Sequence, residues 1–132
     1  AATWGIDNRT VGIRVIPGSP KSQRLEYRVP GSDVNPYLSM AAAIGSGLLG
    51  IERGIDPGAR SVGNAYAQDI PESRRLPGNL ETSAVLLQQS EAAIDLFGPA
   101  FVRHFSDSRL FEARQYARAV TDWELKRYFE IL

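Results

Sequence analysis

The chain has 132 residues, 43% of them hydrophobic and 23% charged, and its 15 basic and 15 acidic residues cancel. This length allows one domain with a sizeable core. Zero net charge argues against general binding of nucleic acid or of an anionic membrane surface. The absence of cysteine excludes disulfides and thiolate metal sites and fits a cytoplasmic protein. No apolar run is long enough to span a membrane. Together with the zero net charge, this leads us to expect neither nucleic acid nor membrane as a partner.

Two short strands are predicted near the N-terminus, over residues 11–16 and 24–29. Apolar and polar residues alternate in both segments, which is the period of a strand. Proline and glycine in the linker at 17–20 favour a turn, so we expect an antiparallel pair. Arg14 would then point away from the apolar face of the first strand and could join the charged face of the second.

The second strand carries the most informative pattern, Arg24-Leu25-Glu26-Tyr27-Arg28. Its two arginines and its glutamate share one face, with the arginines about 13 Å apart along the strand. That span suits a polyphosphate, and the carboxylate between the arginines suits a divalent metal. A half-buried strand whose charged face is merely solvated gives the same alternation, so the pattern alone leaves both interpretations open. Residues 1–30 also carry a surplus of three positive charges.

A helix is predicted next, with Asn35 as its N-cap and Pro36 as its first residue. Residues 37–53 are apolar nearly all round, which predicts that this helix is buried. Gly54 is suited to end it. Residues 56–79 contain several prolines and glycines and predict a long irregular loop, a kind of segment that is often functional or covered by a partner.

The remaining chain is predicted to be helical. Asn79 would cap a helix over 80–89, and Ser90 would cap a shorter one that ends at 97–98. A further segment begins at Pro99 and runs through residue 104.

The last helix is predicted from about residue 108 to near the end of the chain. Its apolar stripe has spacings of three and four residues: Ala113, Tyr116, Ala117, Val120 and Trp123. The expected fold class is therefore α+β, with short antiparallel strands at the N-terminal end followed by a mainly helical C-terminal part.

Several motifs, taken in order, resemble the C-terminal part of the catalytic domain of the glutamine synthetase family. They are Asn8-Arg9-Thr10 with Ile13-Arg14, Ser19-Pro20-Lys21, Arg24-Leu25-Glu26-Tyr27-Arg28, Asn35-Pro36-Tyr37-Leu38, Gly47-Leu48-Leu49-Gly50-Ile51, Val120-Thr121-Asp122-Trp123-Glu124 and Arg127-Tyr128-Phe129-Glu130. Each motif alone is weak, but their order and spacing are specific. The resemblance covers residues 1–132 as one portion of a catalytic domain, and it predicts that the chain is a fragment of a longer protein.

Enzymes of this family join ammonia or an amine to the γ-carboxylate of glutamate, using ATP and Mg²⁺ or Mn²⁺ ions. The resemblance thus implies a ligase that makes glutamine from glutamate, ammonia and ATP through γ-glutamyl phosphate. A γ-glutamyl-polyamine ligase, another γ-glutamyl-amide ligase or a non-catalytic binding or scaffold fragment are the alternatives. Active sites of the family form between subunits of large rings, so a homo-oligomer is also implied.

The resemblance assigns nucleotide and metal roles to four residues. Glu26 resembles the family's metal-binding glutamate on this strand. Arg14 and Arg24 resemble arginines that contact the nucleotide phosphates, and Lys21 lies near the nucleotide in the same pattern. Glutamate oxygens suit Mg²⁺ and Mn²⁺, and the planar guanidinium of arginine suits phosphate.

Two further arginines resemble catalytic residues. Arg9 resembles the arginine that meets the transferred phosphoryl group, and Arg28 resembles the one that holds glutamate or its phosphorylated intermediate. The family's other metal-binding carboxylates and its histidine have no counterpart in this sequence. We therefore expect the isolated 132-residue chain to be inactive.

Three other residues are expected to have no catalytic or ligand-binding role. Tyr66 lies where some bacterial members of the family carry an adenylylated tyrosine, but its flanking residues match poorly, so an ordinary loop tyrosine is expected. His104 has Ser108 four residues later rather than a ligand, which favours a structural or surface role. Trp4 is expected to be a packing residue.

Overall fold

The computed structural model describes residues 1–131, which form two compact units, Ala1–Leu76 and a second unit that begins at Pro77. The first unit contains strands β1 (Trp4–Ile6), β2 (Ile13–Ile16) and β3 (Arg24–Tyr27), helix α1 (Pro36–Glu52) and two 3-10 turns (Ala65–Ala67 and Glu72–Arg74). The second contains helices α2 (Leu80–Gln89), α3 (Glu91–Phe97), α4 (Pro99–Arg118) and α5 (Asp122–Tyr128). The predicted α+β class is confirmed.

The sheet has the order β1-β2-β3. β2 and β3 are antiparallel, as predicted, whereas β1 was not predicted and runs parallel to β2. The chain turns back after β1 through Asp7, whose φ is 46°; aspartate adopts this left-handed conformation more readily than most residues. Gly5 in β1 is buried, and a Cβ there would lie 2.9 Å from the backbone oxygen of Ser61. The glycine therefore allows the loop at 56–64 to approach the sheet.

Helix α1 begins and ends where the sequence predicts. The Asn35 side chain accepts hydrogen bonds from the backbone N–H groups of Tyr37 and Leu38 at 3.0 and 3.3 Å. Beyond the C-terminal end, Gly54 has a φ of 58°, which favours glycine.

The prediction that α1 is buried is wrong for this chain, because no residue of the helix is buried. A stripe of large apolar side chains is 55–83% exposed: Tyr37, Met40, Ile44, Leu48 and Ile51. A helix that is apolar all round is normally stabilised by burial, but burial requires a second apolar surface to pack against.

The second unit is built around α4, against which α2 and α3 pack. Its buried residues include Ala84 of α2 and Val102 and Ser106 of α4. Both predicted caps are present: the Asn79 side chain accepts from Thr82 N at 2.8 Å, and the Ser90 hydroxyl accepts from Ala93 N at 3.2 Å.

The predicted start of the last helix, near residue 108, is wrong. α4 runs without a break from Pro99 to Arg118. Gly98, with a φ of 80°, ends α3, and proline then occupies the first turn of α4, where its missing N–H has no cost. The chain leaves the helix only at residues 119–121, so the predicted apolar stripe is divided between two helices. Tyr116, Val120 and Trp123 are 64–74% exposed.

Among residues 1–131, none of the helices combines the length and apolar character needed to cross a membrane.

Helix α5 starts with a reciprocal capping box. Thr121 N donates to Glu124 Oε2 at 2.7 Å, and Glu124 N donates to Thr121 Oγ1 at 3.3 Å. The hydrogen bond from the Thr121 backbone, aided by that from its side chain, lowers the pKa of Glu124 below its usual value of 4.5.

This capping box predicts an acid-sensitive helix end. A carboxyl group whose pKa is lower in the folded state contributes its full stabilisation above the unfolded value and loses it as pH falls through the folded pKa. We therefore expect the NMR signal of the Thr121 amide to titrate below pH 4.5. Glu124→Gln keeps the hydrogen-bonding geometry but removes the ionisable group, so it should make that signal independent of pH. The control Glu130→Gln should leave the titration unchanged. The same titration in Glu124→Gln would contradict the assignment.

Candidate functional site

The pairing of β2 with β3 brings the predicted site residues together. Arg14 lies directly opposite Glu26 in the register, and Arg14 Nη1 donates to Glu26 Oε2 at 3.1 Å. Directly opposed residues of an antiparallel pair point to the same face. The prediction that Arg14 joins the charged face of the second strand is therefore confirmed.

Two more guanidinium groups converge on the same carboxylate. Arg24 Nη2 lies 3.6 Å from Glu26 Oε1, and Arg28 Nη1 lies 3.9 Å from Glu26 Oε2. The Arg28 backbone N–H donates to Gly12 O at 2.9 Å, which extends the pairing past the end of β3. The predicted shared face of Arg24, Glu26 and Arg28 is thus present. One carboxylate organises three cations, which leaves the face with positive charge to attract an anion.

Arg14 connects this face with the turn after β1. Its Nη2 donates to the Asp7 carboxylate, and its side chain is only 15% exposed. The hydrogen bond with Asp7 raises the pKa of Arg14; desolvation opposes this effect, and the bond with Glu26 reinforces it. Arg14 Nε is buried and has no hydrogen-bond partner among residues 1–131. Arg14 is therefore permanently charged and oriented by two carboxylates.

A cavity of about 780 Å³ opens beside Arg14. It is lined by residues of β1, β2, the turn after β1 and the long loop: Ile6, Asp7, Asn8, Arg9, Arg14, Arg60, Ser61, Val62 and Gly63. We call it the basic pocket, since three of its residues are arginines and one is acidic. The structure places Arg9 here, in the turn after β1, rather than against Glu26.

Arg60 is the arginine of this pocket that the sequence did not indicate. It belongs to the loop predicted over 56–79 and is separated from Arg9 by about fifty positions in the chain. No local pattern could have found it, because neither helical nor strand periodicity extends through this segment. The only signal was the length of the irregular loop, which suggested a functional role without naming a residue.

The other sequence candidates lie outside this cluster. Lys21 is exposed in the turn between β2 and β3 and does not line the basic pocket. Tyr66 is 81% exposed in the first 3-10 turn. His104 is exposed on α4. Trp4 is half-buried, and its indole N–H donates to Gly58 O at 2.9 Å, in agreement with a packing role.

The residues of this chain do not by themselves fit a magnesium or manganese site. Such ions need several oxygen ligands, and Glu26 is one carboxylate that is already paired with three arginines. Throughout residues 1–131, no group of three or more histidine, cysteine or acidic side chains could hold a metal ion. At most, Glu26 offers one ligand.

Three arginines around one carboxylate, next to a basic pocket, form a positively charged site in an α+β fold. A family model described as the catalytic domain of glutamine synthetase matches residues 1–128. The chain therefore belongs to the glutamine synthetase family, and the predicted resemblance is confirmed.

Relatives in this family include ligases with different named products. The chain is 44% identical to type-1 glutamine synthetase 2 of Dictyostelium discoideum, over 98% of the chain and 25% of that protein. It is 40% identical to a glutamate–isopropylamine ligase of a Pseudomonas species, over 99% of the chain and 28% of that protein. It is 42% identical to a γ-glutamylethanolamide synthetase of Streptomyces coelicolor, over 98% of the chain and 27% of that protein.

A solved structure described as GmaS without ligand supports the same fold. It is similar to this chain with a TM-score of 0.79 and 32% sequence identity. The match covers 97% of this chain and 30% of the other protein. The chain thus spans 25–30% of the length of the relatives named here.

Proposed function

We propose that this chain is part of an ATP-dependent ligase that forms an amide at the γ-carboxylate of glutamate. The observation that carries the proposal is the convergence of Arg14, Arg24 and Arg28 on Glu26. Membership of the glutamine synthetase family supports the reaction type. The protein that contains this chain would use glutamate, ATP and ammonia or an amine as substrates.

The charge on the β2–β3 face suits this chemistry. A carboxylate is a poor electrophile, and its phosphorylation to γ-glutamyl phosphate supplies a leaving group. Phosphoryl transfer depends mainly on positioning and on neutralising charge, which guanidinium groups provide. In this proposal Arg14 and Arg24 hold the nucleotide phosphates, with Lys21 nearby. Arg28 holds glutamate or the phosphorylated intermediate.

Arg9 completes the proposed catalytic set. It lines the basic pocket together with Arg14, a position that supports contact with the transferred phosphoryl group. Glu26 would act as one ligand of Mg²⁺ or Mn²⁺ only together with ligands that this chain does not supply. We therefore propose that the isolated 132-residue chain has no ligase activity. ATP-dependent amide formation by that chain alone would contradict this.

Ammonia is the first candidate for the acceptor, and an alkylamine or amino alcohol is the second. The comparisons support both, because a relative named as a glutamine synthetase is 44% identical and two relatives named for amine products are 40% and 42% identical. The proposal also includes a homo-oligomer, as the family resemblance implies, and a cytoplasmic location, with which a cysteine-free sequence agrees.

The test of this proposal is an assay of the protein as its gene encodes it. The protein is incubated with ATP, Mg²⁺, glutamate and, in turn, ammonia, isopropylamine or ethanolamine, and the products are identified by mass spectrometry. We expect a γ-glutamyl amide from at least one acceptor, with one phosphate released per amide. ATP hydrolysis that does not depend on glutamate, or no amide from any acceptor, would reject the proposal.

A further inference from the structure

We propose that Arg60 is the third phosphate-binding arginine of the basic pocket, where it contacts the polyphosphate of a nucleotide together with Arg9 and Arg14. This role depends on the proposed function, because it takes the nucleotide to be a substrate of the same site. The family motifs that assign roles to Arg9 and Arg14 contain no counterpart of Arg60. The assignment therefore comes from where the loop lies.

The backbone on both sides of Arg60 is tied to β1. Ser61 N donates to Trp4 O at 2.8 Å, and the Trp4 indole N–H donates to Gly58 O at 2.9 Å. Gly5, next to Trp4, leaves the space in which this loop lies. Arg60 is therefore presented from an anchored segment, although its side chain is exposed.

The segment after Arg60 is tied to the turn that carries Arg9. Asn8 Nδ2 donates to Gly63 O at 2.8 Å, and Ala65 N donates to Thr10 Oγ1 at 2.8 Å. These bonds hold the loop against the residues on either side of Arg9. Arg9 and Arg60 thus line one cavity from two segments that are hydrogen-bonded to each other.

The net positive charge of the pocket favours binding of an anion. Its one acidic lining residue, Asp7, is already bonded to Arg14. Within residues 1–131, the side chains of Arg9 and Arg60 take part in no hydrogen bond or ion pair. Two like charges that share a cavity without a counter-ion repel each other, and a bound anion removes that cost.

A polyphosphate fits these groups better than an amino acid does. Several phosphate oxygens can accept from more than one guanidinium fork at once. The α-ammonium of glutamate, in contrast, needs an acidic partner, and Asp7 is engaged by Arg14. The cavity of about 780 Å³ has room for the phosphate chain of a nucleotide.

The experiment compares Arg60→Ala, Arg60→Lys and the control Arg114→Ala in the protein as its gene encodes it. Arg114 is exposed on α4, outside the first unit. ATP and tripolyphosphate affinities are measured by calorimetry, and KM for ATP and for glutamate by amide formation. We expect Arg60→Ala to weaken ATP and tripolyphosphate binding about tenfold, the size of one lost charge-assisted contact. Arg60→Lys should lie between Arg60→Ala and the parent, and the KM for glutamate should stay within about twofold.

Failure of this inference and failure of the proposed function give different results. If the parent makes an amide but Arg60→Ala binds ATP as tightly as Arg114→Ala does, the role of Arg60 is rejected and the ligase proposal stands. A change in the KM for glutamate alone also rejects the phosphate assignment. If the parent makes no amide, the ligase proposal fails, and the tripolyphosphate titration still decides whether Arg60 binds phosphate. Equal thermal unfolding midpoints for parent and Arg60→Ala show that a loss is local.

Discussion

Replacing Glu26 by glutamine is expected to lower the kcat/KM of ATP-dependent amide formation by about a hundredfold or more, the usual effect of removing a group that organises transition-state charge. The Glu26 carboxylate lies within 3.9 Å of guanidinium nitrogens of Arg14, Arg24 and Arg28. Glutamine has almost the same shape, but its amide carries no charge and replaces one of the two acceptor oxygens with an N–H donor. The three arginines would then repel one another and turn away from their common face.

The measurement is amide formation by the protein as its gene encodes it, with Glu112→Gln as the matched control. Glu112 is exposed on α4, so the same substitution there should leave kcat/KM unchanged. Thermal unfolding of both variants separates lost function from lost structure. Activity of Glu26→Gln close to that of the parent would show that the charged face is only solvated surface, the interpretation that the strand pattern had left open.

The second large effect is expected from Arg14→Lys, which keeps the positive charge but removes the planar guanidinium group with its two Nη donors. Arg14 donates through Nη1 to Glu26 and through Nη2 to Asp7. A lysine ammonium is a single point charge and cannot reproduce both contacts in this geometry. We expect amide formation to fall at least about tenfold and the thermal unfolding midpoint to decrease, because either Glu26 or Asp7 loses its hydrogen bond to residue 14.

Arg114→Lys is the control for this substitution, since Arg114 is exposed on α4. Both properties should be unchanged in that variant. Arg14→Ala should be at least as impaired as Arg14→Lys. If lysine at position 14 supports full activity, charge alone is sufficient there, and the link that Arg14 makes between Asp7 and Glu26 has no functional role.

Features that depend on neighbours in the chain were predictable. The alternation in Arg24-Leu25-Glu26-Tyr27-Arg28 predicted which side chains share a face, because side chains on a strand alternate whatever the strand packs against. Asn35, Asn79 and Ser90 were identified as caps because each accepts from a backbone N–H only two or three residues ahead.

Features that depend on distant segments were not predictable. β1 has three residues around a central glycine, too few to show alternation, and it forms through its parallel pairing with β2. The continuity of α4 was missed because the predicted boundary near residue 108 came from local pattern alone. Arg60 enters the basic pocket because Trp4 and Asn8 hold a loop more than fifty positions away in the chain.

The sequence by itself determined the charged face, the helix caps, the α+β class and, through the order of its motifs, the glutamine synthetase family. Only the tertiary structure decided that Arg14, Arg24 and Arg28 converge on Glu26, that Arg9 and Arg60 line one cavity and that no residue of α1 is buried. The physical reason is the range of the interactions. Periodicity and capping act over a few residues, whereas ion pairing and burial require a second surface that folding brings near.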